Sequence, residues 1–171
     1  MDWETRLASL WAQIDELAEH DFHDRMTQLT GELPAGSAVA DFERAAAQDS
    51  TGHPDVAVPL YRTALATGLE GERRRRAVIQ LASSLRNLGR PEESIVLLEA
   101  ELDAESSNLD DAVRAVLALS YSAVGRDRDG LALVLEALSA HLPRYQRSMG
   151  NYAKALVQRG GVSTSSTTET D

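Results

Sequence analysis

The sequence predicts an all-α chain built as a stack of antiparallel helical hairpins. Three observations carry this. Ala and Leu dominate the middle of the chain, which is 43% apolar but only 5% aromatic, and both residues lose little rotamer freedom in a helix. Runs of β-branched residues at period two, the signature of strands, are absent. Most decisively, the chain repeats itself. Leu81-Ala82-Ser83-Ser84-Leu85-Arg86-Asn87-Leu88-Gly89-Arg90 aligns with Leu117-Ala118-Leu119-Ser120-Tyr121-Ser122-Ala123-Val124-Gly125-Arg126 at an offset of 36 residues. The same offset sets Ile95, Leu97, Leu98 and Leu102 against Leu131, Leu133, Val134 and Leu138.

Taking the elements in order, Trp3, Leu7, Leu10, Trp11, Ile14 and Leu17 recur at threes and fours and predict one long amphipathic helix. Phe22, Met26, Leu29 and Leu33 predict a second, stopped by the stretch from Gly31 to Pro34. Residues 1–34 thus read as a degenerate N-terminal hairpin, as terminal repeats usually are atypical. A first repeat copy lies 37 residues before the second: Gly52-His53-Pro54-Asp55 matches Gly89-Arg90-Pro91-Glu92, and Ala57, Val58, Leu60, Tyr61 and Leu65 match Ser94, Ile95, Leu97, Leu98 and Leu102. Its first helix departs from the pattern, with Arg44 and Gln48 where the other copies have apolar residues.

Within each copy the reading is helix, tight turn, helix. Gly89 stops the first helix, Pro91 opens the next, and Glu92 and Glu93 suit its positive N-terminal end. Asp110 and Asp111 open the third hairpin in the same way, and Ala82 and Ala118 predict points of close helix approach. After Pro143, Tyr145, Met149, Tyr152 and Leu156 predict a capping helix over 144–160, and 161–171, rich in Ser and Thr, reads as a disordered tail.

This pattern resembles the tetratricopeptide repeat. Ala118, Tyr121, Gly125, Ala137, Leu138 and Pro143 follow the family's order, as do Ala82, Leu85, Gly89 and Leu102, and Ala57, Tyr61, Ala64 and Leu65. Glu101 and Gly130 stand where the family has Ala. The resemblance spans 39–143 and implies three repeats in a short right-handed solenoid. It also implies a protein- or peptide-binding scaffold whose first helices line a concave groove. Carried onto this chain, the groove positions are Phe42, Glu43, Ala46 and Asp49; Arg76, Ile79, Gln80, Ser83, Arg86 and Asn87; and Ala115, Leu119 and Ser122. The last helix adds Arg147, Asn151 and Lys154. The Lys-and-Asn clamp with which chaperone-binding members hold a C-terminal carboxylate is replaced by Ile79, Ser83, Ala115 and Leu119. The expectation is that Arg76 and Arg86 hold an acidic or carbonyl-rich extended segment while Phe42 and Leu119 take apolar side chains. The competing expectation pairs Arg86 internally with Asp49.

Composition disfavours other functions. A formal charge of −10 opposes nucleic acid and anionic membrane surfaces. No stretch approaches the roughly 18 apolar residues of a spanning helix. The absence of cysteine excludes thiolate nucleophiles, disulfides and sulfur-ligated zinc, and fits a cytoplasmic protein. His20, His23 and Asp24 do not complete a metal site, and they read as a polar helix junction. No catalytic order of Ser, His and acid, and no phosphate-cradling loop, is recognisable, so neither enzyme chemistry nor a cofactor is expected. The run Arg73-Arg74-Arg75-Arg76 reads as a solvated helix start balanced by Glu70 and Glu72. A self-associating structural subunit, a homo-oligomer with no groove in use, is the alternative function.

Overall fold

The computed structural model describes residues 2–104 and 107–160, the last two by backbone alone, so the expected tail at 161–171 lies outside the described residues. Described residues form nine helices and no strand: α1 (Trp3–Trp11), α2 (Glu19–Thr30), α3 (Ala38–Ser50), α4 (Pro54–Ala66), α5 (Gly71–Asn87), α6 (Pro91–Leu102), α7 (Asp110–Ala123), α8 (Asp127–His141) and α9 (Gln146–Gly160). The chain divides into two compact units, Met1–Leu97 and Leu98–Asp171.

Three turns repeat with the sequence. Gly52, Gly89 and Gly125 take φ of 91°, 73° and 77°, the left-handed region that only glycine enters without strain. In each turn the residue after the glycine donates its N–H to a carbonyl five residues back: His53 to Gln48 at 2.9 Å, Arg90 to Leu85 at 2.9 Å, and Arg126 to Tyr121 at 2.8 Å. This is the closure that satisfies orphaned helix-end carbonyls and sends the next helix back along the first.

In the first unit α3 and α4 pack along each other and α5 closes over both. Phe42, Ala45 and Ala46 of α3, Ala57, Val58, Tyr61 and Ala64 of α4, and Ala77, Leu81 and Leu85 of α5 form one buried cluster. A second cluster joins Leu7 and Leu10 of α1 with Phe22, Met26 and Leu29 of α2 and Ala47 of α3. The long N-terminal helix expected through Leu17 is not formed. The helix ends at Trp11, and tightened turns such as Gln13 N–H to the Leu10 carbonyl and Ile14 N–H to the Trp11 carbonyl come next. A straight helix would carry Leu17 about 9 Å beyond Trp11. The bend instead returns Ile14 and Leu17 to the N-terminal cluster.

The polar departures in α3 have their reason here. Arg44 donates from Nε to the buried Thr30 hydroxyl at 2.8 Å, and the Gln48 amide meets His23 Nδ1 at 2.8 Å. Where the other copies have apolar residues, α3 uses polar ones to fasten the N-terminal hairpin.

In the second unit α7 packs on α8 and α8 on α9. Gly130, in place of the family's Ala, marks the crossing: a Cβ there would stand 2.8 Å from the carbonyl oxygen of Ala118. Ala118 is buried at 7% exposure, whereas Ala123 on the same helix is exposed. Gly130→Ala should therefore destabilise the chain although Ala is the better helix former by about 1 kcal/mol. Ala118→Leu should cost about 1–3 kcal/mol by overpacking and Ala123→Ser almost nothing. Urea unfolding followed by circular dichroism checks all three.

Candidate functional site

Three of the four groove positions of α3 fall into the core, which corrects the expectation for them. Phe42 is 0% exposed and meets the Tyr61 ring at 6.2 Å, so it cannot take a partner's side chain. Glu43 is 1% exposed. Its two carboxylate oxygens are occupied from within the chain, one by Trp11 Nε1 at 3.0 Å and the other by Arg73 Nε at 3.0 Å. Ala46 is likewise closed. The cause is tertiary: Trp11 and α5 cover a helix face that would otherwise be open.

The arginine run is corrected by the same contacts. Arg73 reaches Glu43 and also Glu4, its NH2 group 2.6 Å from the Glu4 carboxylate. Arg75 is only 6% exposed, and the Arg76 guanidinium lies 5.3 Å from the Phe42 ring centroid. Glu70 and Glu72 are exposed, and the acids that Arg73 bonds are Glu43 and Glu4. The acids of α1 and α3 that Arg73 meets turn this helix start from a solvated segment into an anchor.

Asp49 is half-buried. It accepts from Ser84 Oγ at 2.7 Å and from the Tyr61 hydroxyl at 3.5 Å, while Arg86 donates to Asn87 Oδ1 at 2.8 Å. The internal pair of Arg86 with Asp49 is thus not formed. Burial holds the Asp49 carboxyl above the usual carboxylate range, opposed by the two hydroxyls, and it also raises the Tyr61 phenol.

What remains of the first unit's candidate face lies on α5. Arg76, Gln80, Ser83 and Arg86 are half-buried and Asn87 is exposed, a polar strip about 16 Å long along one side of the helix. Gln80 Oε1 and Arg86 Nε are shielded from solvent without a hydrogen-bond partner. Buried polar atoms are rarely left so. In the second unit, Ala115, Leu119 and Ser122 stand on the exposed side of α7, with Leu119 53% exposed, and Ser122 Oγ donates to Asp127 at 2.6 Å. On α9, Arg147, Asn151 and Lys154 are exposed.

The second unit also holds a polar constellation that the groove positions do not contain. The Arg126 guanidinium stacks 3.9 Å over the Tyr121 ring and bonds Asp129 at 2.8 Å. The Tyr121 hydroxyl donates to Glu99 at 2.7 Å, and burial together with that carboxylate pushes the phenol up to about 12. Tyr121, Arg126 and Asp129 line a cleft of about 620 Å³ together with Ala132, Leu133, Gly150 and Ala153. The only signal in the sequence is the Gly-Arg pair that ends the first helix of the second and third copies, and by itself that pair predicts no more than a turn.

Three of the four histidines serve helix junctions, whereas His20, expected in the same junction as His23, is exposed and meets Asp21 of its own helix. The ring nitrogens of His23 lie 2.8 Å from Thr51 Oγ1 and from the Gln48 amide nitrogen, and His53 meets Glu19 at 2.6 Å. His141 meets Asp111 at 2.9 Å, which with Arg114 holds that carboxyl below its ordinary range. Among the described residues no helix is long and apolar enough to cross a membrane.

The buried acids yield two predictions. Glu43→Gln keeps one acceptor but turns an amide donor towards a donor, and should cost roughly 2–3 kcal/mol in chemical unfolding. Asp49 binds its proton more tightly folded than unfolded, so its charge costs stability at neutral pH and that cost disappears as pH falls below the carboxylate range. Asp49→Asn should therefore melt higher than the wild type at neutral pH, and the gap should close on acidification.

A family model described as a tetratrico peptide repeat matches residues 38–156. No curated protein matches the chain. Among solved structures, one from Podosopora anserina, described as a kinesin light chain of nearly identical TPR-like repeats, is similar in fold. It is 15% identical, with a TM-score of 0.61, and the match covers 94% of this chain and 97% of that one. Repeats of this kind are generally protein-interaction scaffolds. The turns, the small residues at the helix crossings and the matched span agree, and the chain belongs to the tetratricopeptide repeat family.

Proposed function

We propose that this chain is a non-catalytic scaffold that binds an extended, acidic or carbonyl-rich segment of another protein along the first-helix face of its second repeat. The observation that carries the reading is the polar strip on α5. Arg76, Gln80, Ser83, Arg86 and Asn87 recur there at helical spacing, and the strip includes two shielded polar atoms, Gln80 Oε1 and Arg86 Nε, that the chain does not satisfy. Both side chains are only half-buried, and their accessible parts suit a peptide backbone, which offers a carbonyl to the guanidinium and to the amide N–H. A carboxylate suits Arg86 best, because its planar fork matches two oxygens at once.

Phe42 and Glu43 have no part in the contact, since the core has taken both.

Display selection of random extended peptides on the immobilised chain should return sequences enriched in Asp and Glu. Arg76→Glu with Arg86→Glu should abolish capture of the selected peptides. Because Arg76 also lies over Phe42, the single change Arg86→Glu is the cleaner variant, and at least a tenfold loss with unchanged helicity is expected. Undiminished binding by a folded double variant would sink the proposal.

A further inference from the structure

The helix that follows a hairpin packs differently in the two units. In the first, α5 packs on both α3 and α4, and its Ala77 and Leu81 share a buried cluster with Phe42 of α3 and Tyr61 of α4. In the second, α9 packs on α8, and among the described residues no such packing joins it to α7. The three helices instead border the cleft of about 620 Å³. Tyr121 of α7, Leu133 of α8 and Gly150, Ala153 and Val157 of α9 line it, and every lining residue belongs to the second unit.

Two local features keep this cleft open. Gly150 lies inside α9 without a positive φ, and a Cβ added there would meet nothing within 4 Å. Neither a turn nor close packing therefore requires a residue that weakens the helix, whereas its missing side chain leaves the cleft free. The link from α8 to α9 passes through Tyr145 at φ of 70°, a left-handed conformation strained for a bulky residue. Strain of this kind gathers at binding sites, where it holds elements in place for a ligand. On the other side, Arg126 is stacked on Tyr121 and bonded to Asp129, and the Tyr121 hydroxyl is committed to Glu99. That wall is set before anything binds.

The lining defines an occupant. Its two cations, Arg126 and Lys154, are balanced by two acids, Asp129 and Glu136, so the cleft favours neither an anion nor a cation. Arg126 and Asp129 satisfy each other. Lys154 of α9 and Glu136 of α8 form no ion pair among the described residues, and they leave a donor and an acceptor beside the apolar lining. A peptide chain presents the complement, a carbonyl and an N–H on either side of each side chain. The volume is usual for a ligand site. We propose that this cleft binds one uncharged apolar residue of a partner polypeptide, its side chain on Leu133, Ala153 and Val157 and its flanking peptide groups on Lys154 and Glu136. The site does not rest on the α5 reading, whose ligand is acidic: Arg86→Glu should leave it intact.

The probe is N-acetyl-leucinamide, which carries one apolar side chain between two peptide groups. Titrated into the isotopically labelled full chain, it should shift the amide NMR signals of Gly150, Ala153 and Val157 along saturable curves, with a Kd in the millimolar range. The glycine, aspartate and lysine analogues of the probe should bind roughly tenfold more weakly, the first for want of a side chain and the others for their charge. Val157→Asp, at a position 54% exposed, should weaken the leucine probe about tenfold at unchanged helicity, and Val96→Asp, 68% exposed outside the cleft, should not. Gly150→Leu fills the cleft with the chain's own side chain, and should abolish binding while keeping or raising helicity. No saturable shift at these three amides, an equal response to the glycine analogue, or undiminished binding by a folded Val157→Asp or Gly150→Leu chain would overturn the proposal.

Discussion

The first unit depends on one buried carboxylate. Glu43 sits in the middle of α3 at 1% exposure, and its charge is tolerable there only because each oxygen accepts a hydrogen bond. The donors come from two other helices, Trp11 at the end of α1 and Arg73 in the first turns of α5. One side chain therefore ties the end of α1 to the first turns of α5. A buried ion pair adds little net stability over a well-packed apolar substitute, but losing one member is severe, so its effect here is to specify a single arrangement. Arg73 is itself shared with Glu4 of α1, which closes the link.

That link determines which surface is left for recognition. In α3 the positions that would line a groove are consumed by Trp11, Arg73 and the aromatic cluster, and the charge of Glu43 never reaches solvent. The cation of Arg76 is drawn to the Phe42 face, which places it at the head of the α5 strip. Asp49 is held by hydroxyls of α4 and α5 and not by a cation, which leaves Arg86 with a neutral neighbour, Asn87. The recognition strip is what the core's own electrostatics did not use.

The repeat, its turns and its crossing points were legible in the sequence because they are local. A glycine that must take positive φ, a proline or acid opening the next helix and a small residue at a crossing are each set by neighbours a few residues away. Gly130 was legible as a departure, and its meaning emerges once the Ala118 carbonyl is set against it. The charged anchors were not legible. The Arg73 bonds span 30 residues to Glu43 and 69 to Glu4, and no spacing rule connects residues that far apart. Phe42 departs from expectation for a related reason: helical periodicity says that a residue shares a face with its neighbours and is silent on whether another helix covers that face.

The apolar positions of the second helices sharpen this last point. The same register gives core in α4 and α6 and surface in α8, so burial at these sites is set by the neighbouring helix and not by the residues themselves. A stack of repeats ordinarily ends in a unit whose outer face is polar, since an apolar one invites association. The N-terminal hairpin obeys that rule. Its large apolar residues, from Leu7 to Leu29, close on one another, and Asp15, Glu16, Glu19, Asp21 and Asp24 face water. In the second unit Ala153 is the buried residue among the described side chains of α9, and Leu131, Val134 and Leu138 of α8 stay 49%, 43% and 47% exposed. The same register thus meets water differently in α4 and in α8, because burial is decided by the helix that packs beside a residue and not by its type.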